Sequence, residues 1–480
     1  MKLEALAALF SLLAAANAHE GVFGRHAAIA QKRQDTTSSV SSASSSVSSS
    51  LASSQTSQAS TTSSQGATSA VSSASATSAP VAPSAPAGPP ATGANGVPPL
   101  SQITSGMPAG TTYAASETFP AGSTPSFSGA PPLPTPFVFS PGNWPAQDKI
   151  PPTDSPEVQE WIKELDGVNI PDFAPTVDGS CGGDPAAAAQ AEQRGWWTCG
   201  GWTGPEDITM CPEKLTWGIS FDDGPGPYTQ KLLDYLDTKN QQATFFVVGS
   251  RCIERPQLLI EEHMAGHEIS VHTWSHHALT TMTNEEIVAE LGWTRKIIKE
   301  VLGVTPTTMR APFGDIDNRV RAISLAMGLR PIQWTRFNGF AYDTNDWKVA
   351  AGTVSPTDQM ATFNSILGNA TLMDNGFIVL EHDLYEQTVD LAVGYTLDAA
   401  RTHNPPFKLQ RIGECMNIPL TDMYLETTTN TTFPAHRDTN TSGDPNGAAN
   451  QSSGARSLTS PAVSVIIAAG MAVVGGSLLL

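Results

Sequence analysis

Positive charge is scarce in this chain of 480 residues. It has 26 Lys and Arg residues against 45 Asp and Glu residues, which gives a formal net charge of −19 at pH 7. Nucleic acids and anionic lipids are bound mainly through clustered positive charge. The composition therefore argues against both as the main partner, and it is compatible with a neutral or polycationic polysaccharide.

Cysteine is also infrequent, and the five residues are Cys181, Cys199, Cys211, Cys252 and Cys415. No two of them form a Cys-x-x-Cys pair, which argues against a structural zinc site. Disulfides are expected if the chain meets an oxidising environment. An odd number leaves at least one thiol free or paired between chains. The sequence leaves the pairing open.

Charged residues are rare in both flanks of the chain. Ser and Thr dominate residues 36–78, and a Pro-rich stretch continues to about residue 152. Such segments cannot bury enough apolar surface to offset chain entropy, and Ser/Thr tracts with Pro are typical of O-glycosylated stalks. We therefore predict a disordered stalk over residues 19–155, a folded domain over residues 156–425 and a glycosylated linker over residues 426–460.

Uncharged apolar runs lie at the two ends. Residues 1–18 have the pattern of a signal peptide, with Lys2 before a short apolar run and a small-residue cleavage site at residues 16–18. Residues 461–480 are apolar and are followed by no Lys or Arg, which favours a GPI-anchor signal over a transmembrane helix. The candidate attachment residues are Asn446, Gly447, Ser452 and Ser453. The chain is thus predicted to be secreted and anchored through GPI at the cell wall and the outer face of the plasma membrane.

Four Asn-x-Ser/Thr sequons are present, at Asn369, Asn430, Asn440 and Asn450. Three of them lie between the predicted folded domain and the apolar tail, where they fit a glycosylated linker.

The central part of the chain alternates between short apolar runs and amphipathic stretches. The run at residues 243–249 is continuously apolar, as expected for a buried parallel strand. Residues 283–286 form a capping box that should open a helix. This alternation predicts an α/β fold, and about seven parallel strands favour a distorted β/α barrel over an open sheet.

Two motifs at predicted strand ends suggest a metal site. Asp222 and Asp223 are adjacent at the end of the first strand, where two carboxylates are costly to place together unless their charge is used. His272 and His276 follow a later strand and are four residues apart. One carboxylate and two imidazoles form a three-ligand site with open positions, the pattern of hydrolytic metal centres. His267 and His277 leave the register of the histidine pair open.

Three further motifs follow other strands: residues 310–315 (RAPFGD), 343–347 (DTNDW) and 380–383 (LEHD). Each by itself is unremarkable, but together they place Arg, Asp, His and aromatic residues strand after strand on one rim. In a β/α barrel, that rim at the carboxyl ends of the strands is the face that forms the active site.

These five motifs, from residue 216 to residue 383, resemble those of the polysaccharide deacetylases of carbohydrate esterase family four, the NodB-homology domain. With the signal peptide, the stalk and the tail, the chain is similar to the chitin deacetylases of fungi. The resemblance implies metal-dependent removal of N-acetyl groups from the N-acetylglucosamine residues of chitin and its oligomers, giving chitosan and acetate. Xylan or peptidoglycan as substrate, and a non-catalytic carbohydrate-binding wall protein, are the alternatives.

The resemblance also implies a role for each motif. Asp222 is expected to be the general base and His382 the general acid, with Arg310 tuning Asp222 and Asp343 tuning His382. The other expected roles belong to Asp223, His272 and His276, which would bind one divalent ion (Zn²⁺ or Co²⁺), to the backbone N–H of Phe313, which would hold the oxyanion, and to Trp347 and Leu380, which would line the acetyl pocket.

Overall fold

The structure, a computed structural model, describes residues 94–433 apart from residue 128. The predicted signal peptide, the apolar tail, the GPI attachment candidates, and the sequons at Asn440 and Asn450 lie outside the described residues.

Short parallel strands alternate with helices through the domain, as the sequence pattern predicts. The strands are β1 (Thr216–Gly218), β2 (Ser220–Asp222), β3 (Thr244–Val247), β4 (Glu268–Val271), β5 (Thr308–Met309), β6 (Arg330–Pro331), β7 (Arg336–Phe337), β8 (Phe340–Ala341), β9 (Phe377–Ile378) and β10 (Lys408–Gln410). Among these strands of the described part, only β7 and β8 pair antiparallel.

The parallel strands curve into a distorted barrel, which confirms the predicted fold class. One sheet has the order β2-β3-β4-β5-β6, and the other has the order β10-β1-β9. The two sheets are linked because β1 and β2 follow each other directly in one extended segment of the chain. The chain after β6 reaches β9 through a hydrogen bond from Thr335 N to Ile378 O (3.0 Å). A parallel bridge between Asp222 and His382 joins β2 to the chain after β9.

The helices cover the outside of the sheets. They span Pro156–Ile162, Pro185–Ala188, Ala191–Arg194, Thr229–Thr238, Gly249–Glu254, Pro256–Met264, Asn284–Leu302, Asn318–Ala326, Asp346–Ala350, Pro356–Ala370, Glu386–Leu391, Leu397–Thr402 and Ile412–Cys415. The capping box predicted at residues 283–286 is present: Thr283 accepts from the backbone of Glu286, whose side chain accepts in return from Thr283 N. No helix within residues 94–433 is long and apolar enough to cross a bilayer.

Residues 94–155, which the composition assigns to the stalk, pack against the barrel domain instead. Val97, Ile103 and Leu133 from this segment are buried in the apolar core. Main-chain bonds such as Tyr113 N to Pro227 O (3.0 Å) tie the same segment to the loop after β2. The predicted boundary at residue 156 is therefore too late, because a few well-placed apolar residues hold a segment whose average composition is that of a linker.

Two disulfides resolve the pairing that the sequence left open. Cys181 pairs with Cys199, and Cys211 pairs with Cys415. The second bridge joins the chain before β1 to the chain after β10, across 204 residues, and cross-links of such long loops restrict the unfolded chain most. Cys252 is the buried free thiol.

The packing of the N-terminal segment can be tested with one matched pair of substitutions. Val97 is fully buried against Gly394, whereas Val138 in the same segment is 81% exposed. Val97→Ala should lower the free energy of unfolding by about 1–3 kcal/mol through lost burial and a cavity. Val138→Ala should change it by less than about 0.5 kcal/mol. Denaturant unfolding followed by circular dichroism measures both, and equal effects would contradict the packing.

Candidate active site

Asp223, His272 and His276 converge at the carboxyl ends of β2 and β4. Asp223 Oδ1 lies 2.9 Å from His276 Nε2 and 3.4 Å from His272 Nε2. The three ligand atoms all lie within 4.8 Å of one another, and all three residues are buried. Apart from the two imidazole nitrogens, Asp223 Oδ1 has no hydrogen-bond partner among the described residues. A buried carboxylate oxygen facing two imidazole nitrogens fits a divalent cation.

The backbone takes an unusual course at these ligands. Asp223 has φ 83°, Thr273 has φ 64° and His276 has φ 57°, in the left-handed region that side chains with a Cβ adopt at a cost. The turn at Asp223 ends β2. As a result, the carboxylates of Asp222 and Asp223 both lie near His272 Nε2, at 3.8 and 3.4 Å, instead of on opposite faces of a strand.

The protonation states of the triad suit metal binding. His272 Nδ1 lies 2.8 Å from the carbonyl of Arg310, an acceptor, which places the proton on Nδ1 and the lone pair on Nε2. Burial lowers the pKa of His276 to about 4 against the opposing charge of Asp223. Burial acts to raise the pKa of Asp223, but the two imidazoles outweigh it and hold that pKa well below its usual range. Metal ligands must be neutral imidazole and ionised carboxylate, and these are the forms favoured for His276 and Asp223.

His267 and His277, the two other histidines that the sequence left as possible metal ligands, lie elsewhere. His267 Nδ1 accepts from the backbone of Ala243 in the core, and His277 Nδ1 contacts Ser275. Neither belongs to the group of possible metal ligands found in the described residues. The pairing of His272 with His276 is therefore the register that the fold brings together.

Asp222 is held by Arg310, as the motifs predict. Arg310 is completely buried, and its Nη1 donates to Asp222 Oδ1 (2.6 Å) and to Ser220 Oγ (3.0 Å). Its guanidinium carbon lies 3.9 Å from the centre of the Phe246 ring, which covers one face of the cation. The other carboxylate oxygen, Oδ2, is the one that faces His272 and the metal ligands. Asp222 thus has one oxygen bound to Arg310 and the other directed into the site.

The carboxylate partner of His382 is Asp346, and the prediction of Asp343 in this role is wrong. Asp346 Oδ1 lies 2.8 Å from His382 Nδ1, and Asp346 Oδ2 accepts from the backbone N–H of His382 (2.8 Å). Asp343 instead accepts from the backbone of Asn345 (2.7 Å). Both carboxylates belong to the same predicted motif. Asn345, with φ 61°, turns the chain between them and starts the helix Asp346–Ala350.

The electrostatics of His382 are opposite to those of His276. Burial acts to lower the pKa of His382, but the adjacent Asp346 carboxylate, followed by Asp223 and Asp222, outweighs it and raises this pKa to about 10. A divalent cation would offset part of the charge of Asp222 and Asp223. The contact with Asp346 is the contribution that persists, and it favours the imidazolium at neutral pH.

The remaining predicted residues lie around this group. Phe313 is in the turn Pro312–Gly314 after β5, with φ 61°, and its ring centre is 4.8 Å from that of His276. Leu380 is buried two residues before His382 and bonds through its backbone to Tyr342. Trp347 is half-buried and directly follows Asp346. These neighbours place all three beside the acid–base and metal residues.

Sequence reasoning missed one further buried carboxylate, that of Glu290, which lies behind the candidate metal ligands. Glu290, on the helix Asn284–Leu302, accepts from the backbone N–H groups of Trp274 (2.7 Å) and Ser275 (2.9 Å), which lie between the two histidines. It stands in an amphipathic helix among other Glu and Lys residues, where no local pattern distinguishes it from a solvated side chain.

A parallel barrel with this triad and with Asp222 and His382 on one rim is suited to metal-assisted hydrolysis. A family model described as polysaccharide deacetylase matches residues 209–332. Chitin deacetylase 1 of Cryptococcus neoformans var. grubii is 50% identical over 348 residues, which cover 71% of this chain and 73% of that protein. The chitin deacetylase of Amylomyces rouxii is 34% identical over 54% of this chain and 63% of that protein. This chain belongs to the polysaccharide deacetylase family.

Among solved structures, the chitin deacetylase of Colletotrichum lindemuthianum is 24% identical. The match has a TM-score of 0.42 and covers 48% of this chain and 97% of that chain.

The role of Asp346 can be tested by titrating His382. Asp346→Asn removes the nearest negative charge, so burial should dominate and the pKa of His382 should fall by more than about one unit. The imidazole would then lose its proton at lower pH than in the unaltered protein. NMR of ring-labelled histidine, assigned with a His382→Gln variant, measures this pKa. Asp343→Asn is the matched control and should leave it nearly unchanged; a larger shift in that control would restore the original assignment.

Proposed function

We propose that this chain hydrolyses the N-acetyl groups of N-acetylglucosamine residues in chitin, giving chitosan and acetate. The observation that carries the proposal is that Asp222, Asp223, His272, His276 and His382 lie together on one rim, where they would supply the metal ligands, the base and the acid. Asp222 and His382 are direct neighbours across a parallel bridge, and Asp223 adjoins Asp222. The 50% identity to a chitin deacetylase supports chitin as the polymer.

Asp223, His272 and His276 would hold one divalent ion, for which the mixed oxygen and nitrogen ligands favour Zn²⁺ or Co²⁺. When bound, such an ion polarises the acetamide carbonyl and lowers the pKa of water.

Asp222 would accept the proton of the attacking water through Oδ2. Its Oδ1 accepts from Arg310 at 2.6 Å, whereas Oδ2 faces the metal ligands at 3.8 Å from His272. The guanidinium holds the carboxylate in its orientation before the reaction. A base held in this way removes the proton without a change of rotamer.

The negative charge that develops on the carbonyl oxygen needs a donor in place before the reaction. The backbone N–H of Phe313 would supply it, from a turn whose left-handed φ at Phe313 departs from the helical course of its neighbours. Trp347 and Leu380, beside His382 and Asp346, would form the walls of a small acetyl pocket.

His382 would protonate the leaving amine. Asp346 contacts Nδ1 and also the backbone N–H of His382, which fixes the ring and places one proton on Nδ1. The second proton of the imidazolium is then on Nε2, where it can be transferred to the amine nitrogen. The contact with Asp346 raises the pKa of His382 and so favours the presence of this proton at neutral pH.

We further propose that the protein acts at the cell wall after secretion, attached through GPI. Support comes from the apolar, uncharged residues 461–480, with small residues upstream, and from the signal-like residues 1–18. Asn369, half-buried at the end of the helix Pro356–Ala370, and the exposed Asn430 are candidate glycosylation sites.

Two substitutions separate the proposed base from the proposed acid. Asp222→Asn should retain metal but lose on the order of 10²-fold or more of the turnover on a chitin oligomer and on an acetyl ester alike. His382→Ala should lose a similar factor on the oligomer but much less on an ester with a good leaving group, which needs little protonation. Acetate release measures both, and metal analysis of each variant is the control.

Chelator treatment of the unaltered protein should abolish acetate release, and added Zn²⁺ or Co²⁺ should restore it. Near-normal amide hydrolysis by both variants, or full activity without metal, would contradict the mechanism.

Anchoring is tested separately in the native host. Phosphatidylinositol-specific phospholipase should release the full-length protein from cells, and a chain ending at residue 460 should appear in the medium. Recovery of an intact C-terminal peptide from protein that resists the lipase would instead indicate a transmembrane helix.

A further inference from the structure

The loop that carries both histidine ligands has a tryptophan at its centre. Trp274 lies between His272 and His276 and is completely buried. Its ring is stacked on that of Trp144, with an interplanar angle of 2° and a centroid distance of 6.1 Å. Its indole N–H donates to the carbonyl of Ala146 (3.1 Å). The loop that carries the proposed metal ligands therefore packs against a segment that begins more than a hundred residues earlier in the chain.

Residues 137–148, which we call the N-terminal brace, are held in place by other aromatic contacts. Trp144 packs edge-on against Phe137 (5.7 Å) and Trp293 (5.6 Å). Lys296 Nζ lies 5.2 Å from the ring centre of Trp144 and 4.7 Å from that of Trp293. Trp293 and Lys296 belong to the helix Asn284–Leu302, which also supplies Glu290 to the loop. The brace and this helix thus hold Trp274 from two sides.

A chain of hydrogen bonds through Ser250 also connects the brace to the same loop. Asp148 Oδ1 accepts from Ser250 Oγ (3.3 Å), and Ser250 N donates to the carbonyl of Trp274 (3.1 Å). Gly249 N in turn donates to the carbonyl of Thr273 (2.9 Å).

The loop needs such support because its backbone is strained. Thr273 and His276 both have left-handed φ, and such conformations persist only where the surroundings enforce them. A relaxed loop would move the two imidazole nitrogens away from Asp223, and a metal site loses affinity when its ligands are not held in position.

We propose that the N-terminal brace positions the metal ligands, with Trp144 as its main positioning residue. The brace lies outside residues 209–332, the part matched by the family model. The support that it gives to the loop therefore comes from a part of the chain that the family model does not include. The inference rests on the proposed metal site.

Two half-buried tryptophans allow a matched test. Trp144 and Trp161 both pack edge-on against Trp293, at 5.6 and 5.5 Å, but only Trp144 contacts Trp274. In the full-length protein, Trp144→Ala should weaken Zn²⁺ binding by about 10-fold or more, measured by competition with a chromophoric chelator. Trp161→Ala should lower Tm to a similar extent while leaving Zn²⁺ affinity unchanged. Trp144→Phe, which keeps a ring against Trp274, should recover most of the affinity.

A second variant covers the case in which Trp144→Ala does not fold. Trp274→Phe keeps an aromatic ring but removes the N–H donated to Ala146 and part of a buried ring. It should weaken Zn²⁺ binding several-fold and lower Tm no more than Trp161→Ala does. Unchanged affinity in the variants at positions 144 and 274, or an equal loss in Trp161→Ala, would overturn the proposal. Failure of the unaltered protein to bind Zn²⁺ or Co²⁺ would instead overturn the proposed metal site itself.

Discussion

Two adjacent carboxylates, Asp222 and Asp223, are buried at the end of β2, and the rest of the site compensates their charge. Burial of an ionised carboxylate is costly unless a partner is provided. Asp222 receives the buried guanidinium of Arg310 from the end of β5. Asp223 faces two imidazoles from the loop after β4, and the buried guanidinium of Arg251 lies 4.0 Å from its Oδ1. The turn at Asp223, with φ 83°, brings the two carboxylates to one side. Removal of Arg310 would leave a buried carboxylate at Asp222 without its cationic partner.

The same negative charge gives two histidines opposite states. His276 is buried beside a single carboxylate, and its desolvation lowers its pKa to about 4, which favours the neutral form that a metal ligand needs. His382 is also buried, but it has Asp346 in direct contact and two further carboxylates nearby, which together raise its pKa to about 10. One environment suits a ligand and the other an acid, as in other sites where neighbouring groups push pKa values apart. The parallel bridge between Asp222 and His382 places the proposed base and the proposed acid side by side.

The domain extends further toward the N-terminus than the family model. A composition rich in Pro, Ser and Gly is normally that of a linker, yet residues 94–155 contain Val97, Ile103, Leu133 and Trp144 at positions that reach the core or the metal-ligating loop. A Pro-rich segment loses less conformational entropy on ordering than other segments do, because the φ angles of its prolines are already restricted in the unfolded chain. A few apolar contacts are therefore enough to hold it against the barrel.

Local patterns in the sequence determined the parallel α/β class, the capping box at Thr283, and the motifs that contain the proposed metal ligands and the proposed acid–base pair. They did so because a buried strand, a helix cap and the residues at a strand end each have a residue pattern that spans only a few neighbouring positions. Tertiary structure alone decided which carboxylate contacts His382, since Asp343 and Asp346 stand in one motif and only the turn at Asn345 directs Asp346 to the imidazole. It also decided the histidine register, the pairing of Cys211 with Cys415, and the docking of Trp144 on Trp274. Each of these depends on contacts between segments far apart in the chain, whose distances no local pattern records.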